Sequence, residues 1–192
     1  MTTTTLRMMQ QPTTPSRALP DGARIDQVKE PTPEFARWLY AAVGGPWRWT
    51  DRLGWNRQEW ADGLARPGAE LYVLYSDGAP AGYVQLDAVA DDPGESPSSS
   101  VEITYFGLME HAIGQGLGGA LLGYGIARAW SVSDRRGLPP VENVWVHTCN
   151  LDGPHAIANY QARGFAITDE STAEQEYPAQ ALGAWASTGG PS

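Results

Sequence analysis

The chain has 192 residues and a formal net charge of −9, which allows one domain with an ordinary core and argues against a general binder of nucleic acid or anionic membrane, because those need basic patches to neutralise phosphates. No apolar run approaches the roughly 18 residues of a membrane span, and Met1 to Gln11 lacks the apolar stretch of a signal peptide, so a cytoplasmic protein is expected. The single cysteine, Cys149, cannot close an internal disulfide and has no partner cysteine for a metal; no metal site is expected.

Residues 1–22 are rich in threonine and proline with few apolar anchors, which predicts a disordered leader outside the fold. Ala23 to Lys29 reads as the first strand. Thr32-Pro33-Glu34 supplies an N-cap, a proline at the first helical position and an early acid, and Gly44-Gly45-Pro46 stops that helix. A second helix is signalled by Asn56 as cap, Glu59 three residues later, and Trp55 with Trp60 placed as a hydrophobic staple; Arg66-Pro67-Gly68 ends it. Trp38, Tyr40, Trp47, Trp49, Trp55 and Trp60 cluster around these helices. Trp38 and Trp60 read as core residues, whereas Trp47 and Trp49, in a loop with Arg48, Asp51 and Arg52, either fill the core or face a substrate.

Glu70 to Tyr75 and Ala81 to Val89 flank Ser76-Asp77-Gly78-Ala79-Pro80 and read as a hairpin. A polar, acidic loop over 91–100 precedes the strand Val101 to Leu108. After a turn comes Ile113-Gly114-Gln115-Gly116-Leu117-Gly118-Gly119, which runs directly into helical sequence; Leu122, Ile126 and Trp130 recur at spacing four beside Leu117 and Leu121, giving one apolar face. Residues 131–141 read as a surface connection, and Asn143 to Cys149 as the next strand. Asp152-Gly153-Pro154 opens a helix carrying Tyr160 and ended by Gly164, and Phe165 to Thr168 is a last strand. Residues 171–192 read as an acidic, partly ordered tail.

A helix start leaves backbone N–H groups unpaired and carries a partial positive charge, so it stabilises an anion, and glycines remove the side chains that would keep the anion away. The segment 113–119 is therefore a candidate pyrophosphate site. A loop that only packs helix against strand is the competing reading. Gly114-x-Gly116-x-x-Gly119 also satisfies a dinucleotide fingerprint, but Met109 to Ile113 intervene after the strand, and the next strand ends in Thr148-Cys149-Asn150 without the acidic residue that fingerprint expects. No Lys-Ser or Lys-Thr follows the glycines, so the Walker pattern fails.

The run Tyr105-Phe106-Gly107-Leu108 through Gly114-Gln115-Gly116-Leu117-Gly118-Gly119-Ala120-Leu121-Leu122, followed by Ala156-Ile157-Ala158-Asn159-Tyr160-Gln161-Ala162-Arg163-Gly164-Phe165, resembles the GNAT superfamily of acetyl-CoA-dependent N-acetyltransferases over roughly residues 23–170. The resemblance implies a mixed α/β (α+β) GNAT fold, a mostly antiparallel twisted sheet of six to seven strands flanked by helices. The family's motif is Arg or Gln, two residues, Gly, one residue, Gly or Ala; its usual frame places Gly116 and Gly118 at the small positions and departs at Ile113, while a frame of Gln115, Gly118 and Ala120 fits the letters two residues late. The resemblance implies acetyl-CoA as co-substrate, with Leu108, Met109, Gly114, Gln115, Gly116, Leu117, Gly118, Gly119, Asn150 and Tyr160 at its site. It further implies that the backbone amide of Leu108 polarises the thioester carbonyl and that Tyr160 protonates the departing thiolate. An aromatic or apolar acceptor bordered by Trp47 and Trp49 follows by the same likeness.

An amine of ordinary pKa, about 10.4, arrives protonated and must lose a proton before it attacks. Glu102, on the strand face shared with 104 and 106, is the leading acceptor of that proton or else a solvated strand residue. His147, whose imidazole titrates nearest neutrality, is the second candidate or else a buried, hydrogen-bonded histidine. Cys149 is a poor nucleophile, because His147 is its only basic neighbour on the strand. The expected partner is a small-molecule amine, with protein lysines or N-termini and a non-catalytic acyl-CoA-binding module as alternatives; a homodimer is left open.

Overall fold

The computed structural model describes residues 1–91 and 97–190. One seven-stranded sheet carries the fold: β1 (Thr2–Met8), β2 (Ala23–Val28), β3 (Ala69–Ser76), β4 (Ala79–Ala90), β5 (Ser99–Leu108), β6 (Val141–Cys149) and β7 (Ala166–Thr172), in the order β2-β3-β4-β5-β6-β1-β7. Every neighbouring pair is antiparallel except β5 and β6. On one face lie α1 (Pro33–Gly44) and α2 (Arg57–Leu64), packed on Leu71, Val73 and Tyr83; on the other lies α3 (Leu117–Trp130), packed on Leu74, Val84, Leu86, Ile103 and Val144.

The local signals for the helices and the hairpin hold. Thr32 Oγ1 accepts from the Phe35 amide at 3.3 Å at the start of α1, and Asn56 and Glu59 form a reciprocal capping box on α2, with Trp55 stacked edge-on against Trp60 at 5.4 Å. Asp77 and Gly78 both have positive φ, the backbone a two-residue hairpin turn requires.

The expected disordered leader is corrected. Residues 2–8 form a strand in the interior of the sheet, between β6 and β7, and Ala23–Val28 is an edge strand rather than the first. Thr4, Leu6 and Met8 are buried on one side and alternate with Thr3, Thr5 and Arg7, but threonine conceals the apolar rhythm although its branched Cβ suits a strand. The connection after α3 is also more than surface. It contains α4 (Val132–Arg136), from which Arg135 and Arg136 reach the buried Glu70 at 2.6 and 3.2 Å. Of the acidic loop, residues 92–96 lie outside the described residues; at its flanks Asp91 accepts from the hydroxyls of Ser98 and Ser100. After β7 the tail folds back, and α6 (Gly183–Ser187) sits against α1 and the 3₁₀ turn Gly45–Trp47.

Candidate active site

β5 and β6 pair only from Ser99↔Val141 to Glu102↔Trp145; beyond that point the two parallel strands carry no ladder. Two strands that part in mid-sheet leave backbone groups facing a gap. Met109 donates its amide to Ala81 at 2.9 Å, and because antiparallel ladders alternate, the amide of Leu108 one residue earlier is directed away from β4, toward that gap. A bulge at Thr104, which has no partner on β4, rotates the strand where the divergence begins.

The gap is a cavity of about 300 Å³ on the α3 side, lined by Phe106, Leu108, Gly118, Gly119, Asn159 and Tyr160 among others. It is continuous with a second space of about 270 Å³ on the α1 side, because Trp47, Trp49, Thr104, Tyr105, His147, Thr148 and Asp152 line both. The cleft therefore runs through the sheet.

At its first mouth, Gly114 and Gly116 have φ of +83° and +76°, and no side chain caps α3, so the amides of its first turn are free to bind an anion. A Cβ at Gly118 would rest in ordinary contact with Leu108 at 3.4 Å. Tyr160 stands on α5 (Ala156–Gln161), held edge-on between Phe106 at 6.3 Å and Phe165 at 5.8 Å. Burial, with Asp152 adding to it, pushes its phenol well above the usual tyrosine range, so the hydroxyl stays protonated and can only give its proton to a strong base.

The second mouth is aromatic. Tyr40, Trp49 and Tyr105 pack on one another with ring centroids 5.4 to 6.0 Å apart, and Tyr40 donates to Asp51 at 2.5 Å. Asp152 binds the Trp49 indole at 3.1 Å, the Thr148 hydroxyl at 2.7 Å and the Cys149 amide at 2.9 Å, fixing loop to strand. His147 lines both halves and is about half exposed; its Nδ1 lies 3.6 Å from Glu102 Oε1. Burial and the neighbouring Asp152 raise the Cys149 thiol, which disfavours a thiolate nucleophile.

The structure brings together Leu108, Gly118, Gly119, Tyr160, His147, Trp47 and Trp49 on this cleft. Gly114, Gln115 and Gly116 form the turn beside it, where Gln115 donates to the His111 carbonyl at 2.7 Å; Leu117 sends its side chain into the core and offers only its amide. Three of the expected residues lie off this cleft. Met109 belongs to the core under α1, its amide engaged by Ala81. Asn150 is taken up by β1, accepting from the Thr2 amide at 3.0 Å and donating its own amide to Thr2, a partner hidden while residues 1–22 counted as a leader. Glu102 does not line the cleft but stands behind His147. Thr104, Tyr105, Asp51 and Asp152 were missed. Each lies in a stretch the sequence reading named, but none was given a place at the site; the Asp-Gly-Pro run of Asp152 reads as a helix start, whereas α5 begins at Ala156.

Among the described residues, no helix is long and apolar enough to cross a membrane and no cluster of metal-ligating side chains occurs. The sequence pattern described as the acetyltransferase (GNAT) family matches residues 32–165. No curated protein matches the chain. Solved structures of similar shape include a tandem GNAT protein from the clavulanic acid biosynthesis pathway (18% identity, 88% of this chain and 51% of that one, TM-score 0.58). A GCN5-related N-acetyltransferase from Kribbella flavida shares 18% identity over 87% of this chain and 55% of its own, with a TM-score of 0.52. An aminoglycoside acetyltransferase from an uncultured soil metagenomic sample, in complex with sisomicin, shares 12% identity over 83% and 98%, with a TM-score of 0.57. The chain thus spans about half the length of the first two of these proteins. With the parted parallel strands and the glycine turn at their mouth, the match over residues 32–165 places this chain in the acetyltransferase (GNAT) family.

Proposed function

We propose that the protein is an N-acetyltransferase that moves the acetyl group of acetyl-CoA onto a primary amine of a small molecule by direct attack. The observation that carries this reading is the through-sheet cleft, with a bare glycine turn and a protonated phenol at one mouth and an aromatic, carboxylate-bearing pocket at the other. The donor fits the residues present: free amides of α3 face where a diphosphate would lie, and the gap between β5 and β6 suits an extended chain passing to the Leu108 amide.

In this reading His147, backed by Glu102, takes a proton from the ammonium form of the acceptor directly or through water. The amine nitrogen attacks the thioester carbon, and the Leu108 amide binds the oxygen as it gains negative charge. The C–S bond breaks as Tyr160 protonates the leaving sulfur; because a thiol of ordinary pKa about 8.5 is more acidic than this buried phenol, the phenolate does not persist but is restored by the second proton that the attacking nitrogen loses on becoming an amide. Trp47, Trp49 and Tyr105 hold the acceptor's apolar part. The aromatic mouth and the sisomicin-bound relative are in keeping with a small amine. A reducing cytoplasmic setting, in which Cys149 stays a thiol, belongs to the same reading.

The test is thiol release from acetyl-CoA across a panel of amino-bearing metabolites and lysine peptides, with products identified by mass spectrometry. Turnover with small amines above that with peptides is expected. Faster peptide acetylation would move the acceptor class to proteins, and donor binding with no turnover on either set would leave an acyl-CoA-binding module.

A further inference from the structure

Between β1 and β2 the chain does not loop out into solvent. Residues 11–17 lie along α3, where Gly119, Gly123 and Ala127 fall four apart and make a shallow track. The fit at Gly123 is close, since a Cβ there would meet Ser16 Cβ at 2.6 Å. Leu19, packed against the core, anchors the far end and Met8, in β1, the near end. Under this segment is a cavity of about 720 Å³ bounded by α3, Ala162 and Arg163.

Two guanidinium groups converge where that cavity meets the glycine turn. A Cβ at Gly116 would sit 3.3 Å from Arg17 Nη2, and one at Gly119 would sit 2.8 Å from Arg163 Nη2. Among the described residues neither arginine lies within 4.0 Å of a carboxylate, although six others of this acidic chain do. Two like charges beside the positive end of a helix repel one another and the helix dipole, so the arrangement suits an anion held among all three. Meanwhile Ile113, at the position where the resembled motif carries Arg or Gln, is about half exposed and offers no such group.

We propose that residues 11–17 act as a strap over the donor site, with Arg17, opposed by Arg163, contacting the phosphates of the donor nucleotide. This rests on acetyl-CoA being the donor. The strap restores from a distant segment the charge that Ile113 lacks, and it makes the affinity for a phosphorylated donor depend on residues outside the turn.

Titration calorimetry on the full chain with acetyl-CoA and with phosphate-free acetyl-pantetheine tests this. Arg17→Ala should weaken acetyl-CoA about tenfold, the loss of roughly one charge-assisted contact, with a smaller loss at high salt and no change for acetyl-pantetheine. Gly123→Leu, which displaces the strap while keeping Arg17, should weaken acetyl-CoA in the same selective way. Wild-type affinity for acetyl-CoA in both variants overturns the strap and leaves the donor assignment standing. Equal weakening of both ligands overturns the phosphate contact. A folded wild-type protein that binds neither ligand removes the donor assignment and the strap together.

Discussion

The two mouths of the cleft are built from different materials. The α3 mouth is made of backbone: glycines, free amides and a phenol held between two phenylalanines. The α1 mouth is made of side chains drawn from the Gly45–Trp47 turn, its following loop, β5, β6 and the tail, tied by Asp51 and Asp152. Variants should separate the halves.

The largest effect belongs to the phenol of the α3 mouth. Tyr160→Phe should lower kcat roughly 100-fold or more, the usual worth of a positioned acid, with donor affinity nearly unchanged; steady-state kinetics beside donor binding checks this, and undiminished kcat would remove the phenol from the chemistry. Next is the scaffold under the α3 side. Burial pushes the Glu70 carboxyl up, but Arg135, Tyr72 and Arg136 outweigh it and hold it below its ordinary value. Its stabilisation is therefore full above the unfolded glutamate value of about 4.3 and is lost as pH falls through the lower folded value. Glu70→Gln should cost about 2 kcal/mol at pH 7, discounted for the partly exposed arginines, and the gap between the two denaturation curves should shrink as pH falls toward 3. A gap that stays constant with pH would mean the ion pairs contribute nothing.

Smaller still, Trp49→Ala should raise the acceptor KM about tenfold and the donor KM much less, as expected when an aromatic wall that reaches both halves packs mainly with the aromatic mouth. Both constants rising together would join the mouths into one unit. The smallest catalytic change is expected from Glu102→Gln, roughly fivefold in kcat, because in the proposed reading its carboxylate, 3.6 Å from the imidazole, acts through His147. The pH–rate profile separates positioning from mere packing: the alkaline-side plateau should drop and the acid limb should move, whereas a structural role would shift neither limb.

The same contrast decides what could be read before the fold was seen. The glycine spacing at 114, 116, 118 and 119 announces a backbone site, because bare amides need small residues whatever surrounds them. The capping residues around α2 are similarly local. Thr104 carries no local signature, and that of Asp152 points to a helix start rather than to the site. Each gains its place from a partner far along the chain, as Asp152 does from Trp49, or from a bulge that only pairing with β4 creates. Residues 1–22 failed for a related reason: Thr4 is buried at 4% exposure but reads as polar, and its neighbours lie more than 130 residues away.

That last separation governs how the molecule is made. β1 is laid down first but can be seated only after both flanking strands, Val141–Cys149 and Ala166–Thr172, have left the ribosome. Closing so long a loop is slow, and until it closes β6 and β7 each present an unpaired edge able to join another chain. Assembly of this sheet consequently waits on the synthesis of both flanking strands. A bulky fusion at the amino terminus should slow refolding and promote aggregation far more than the same fusion after Ser187.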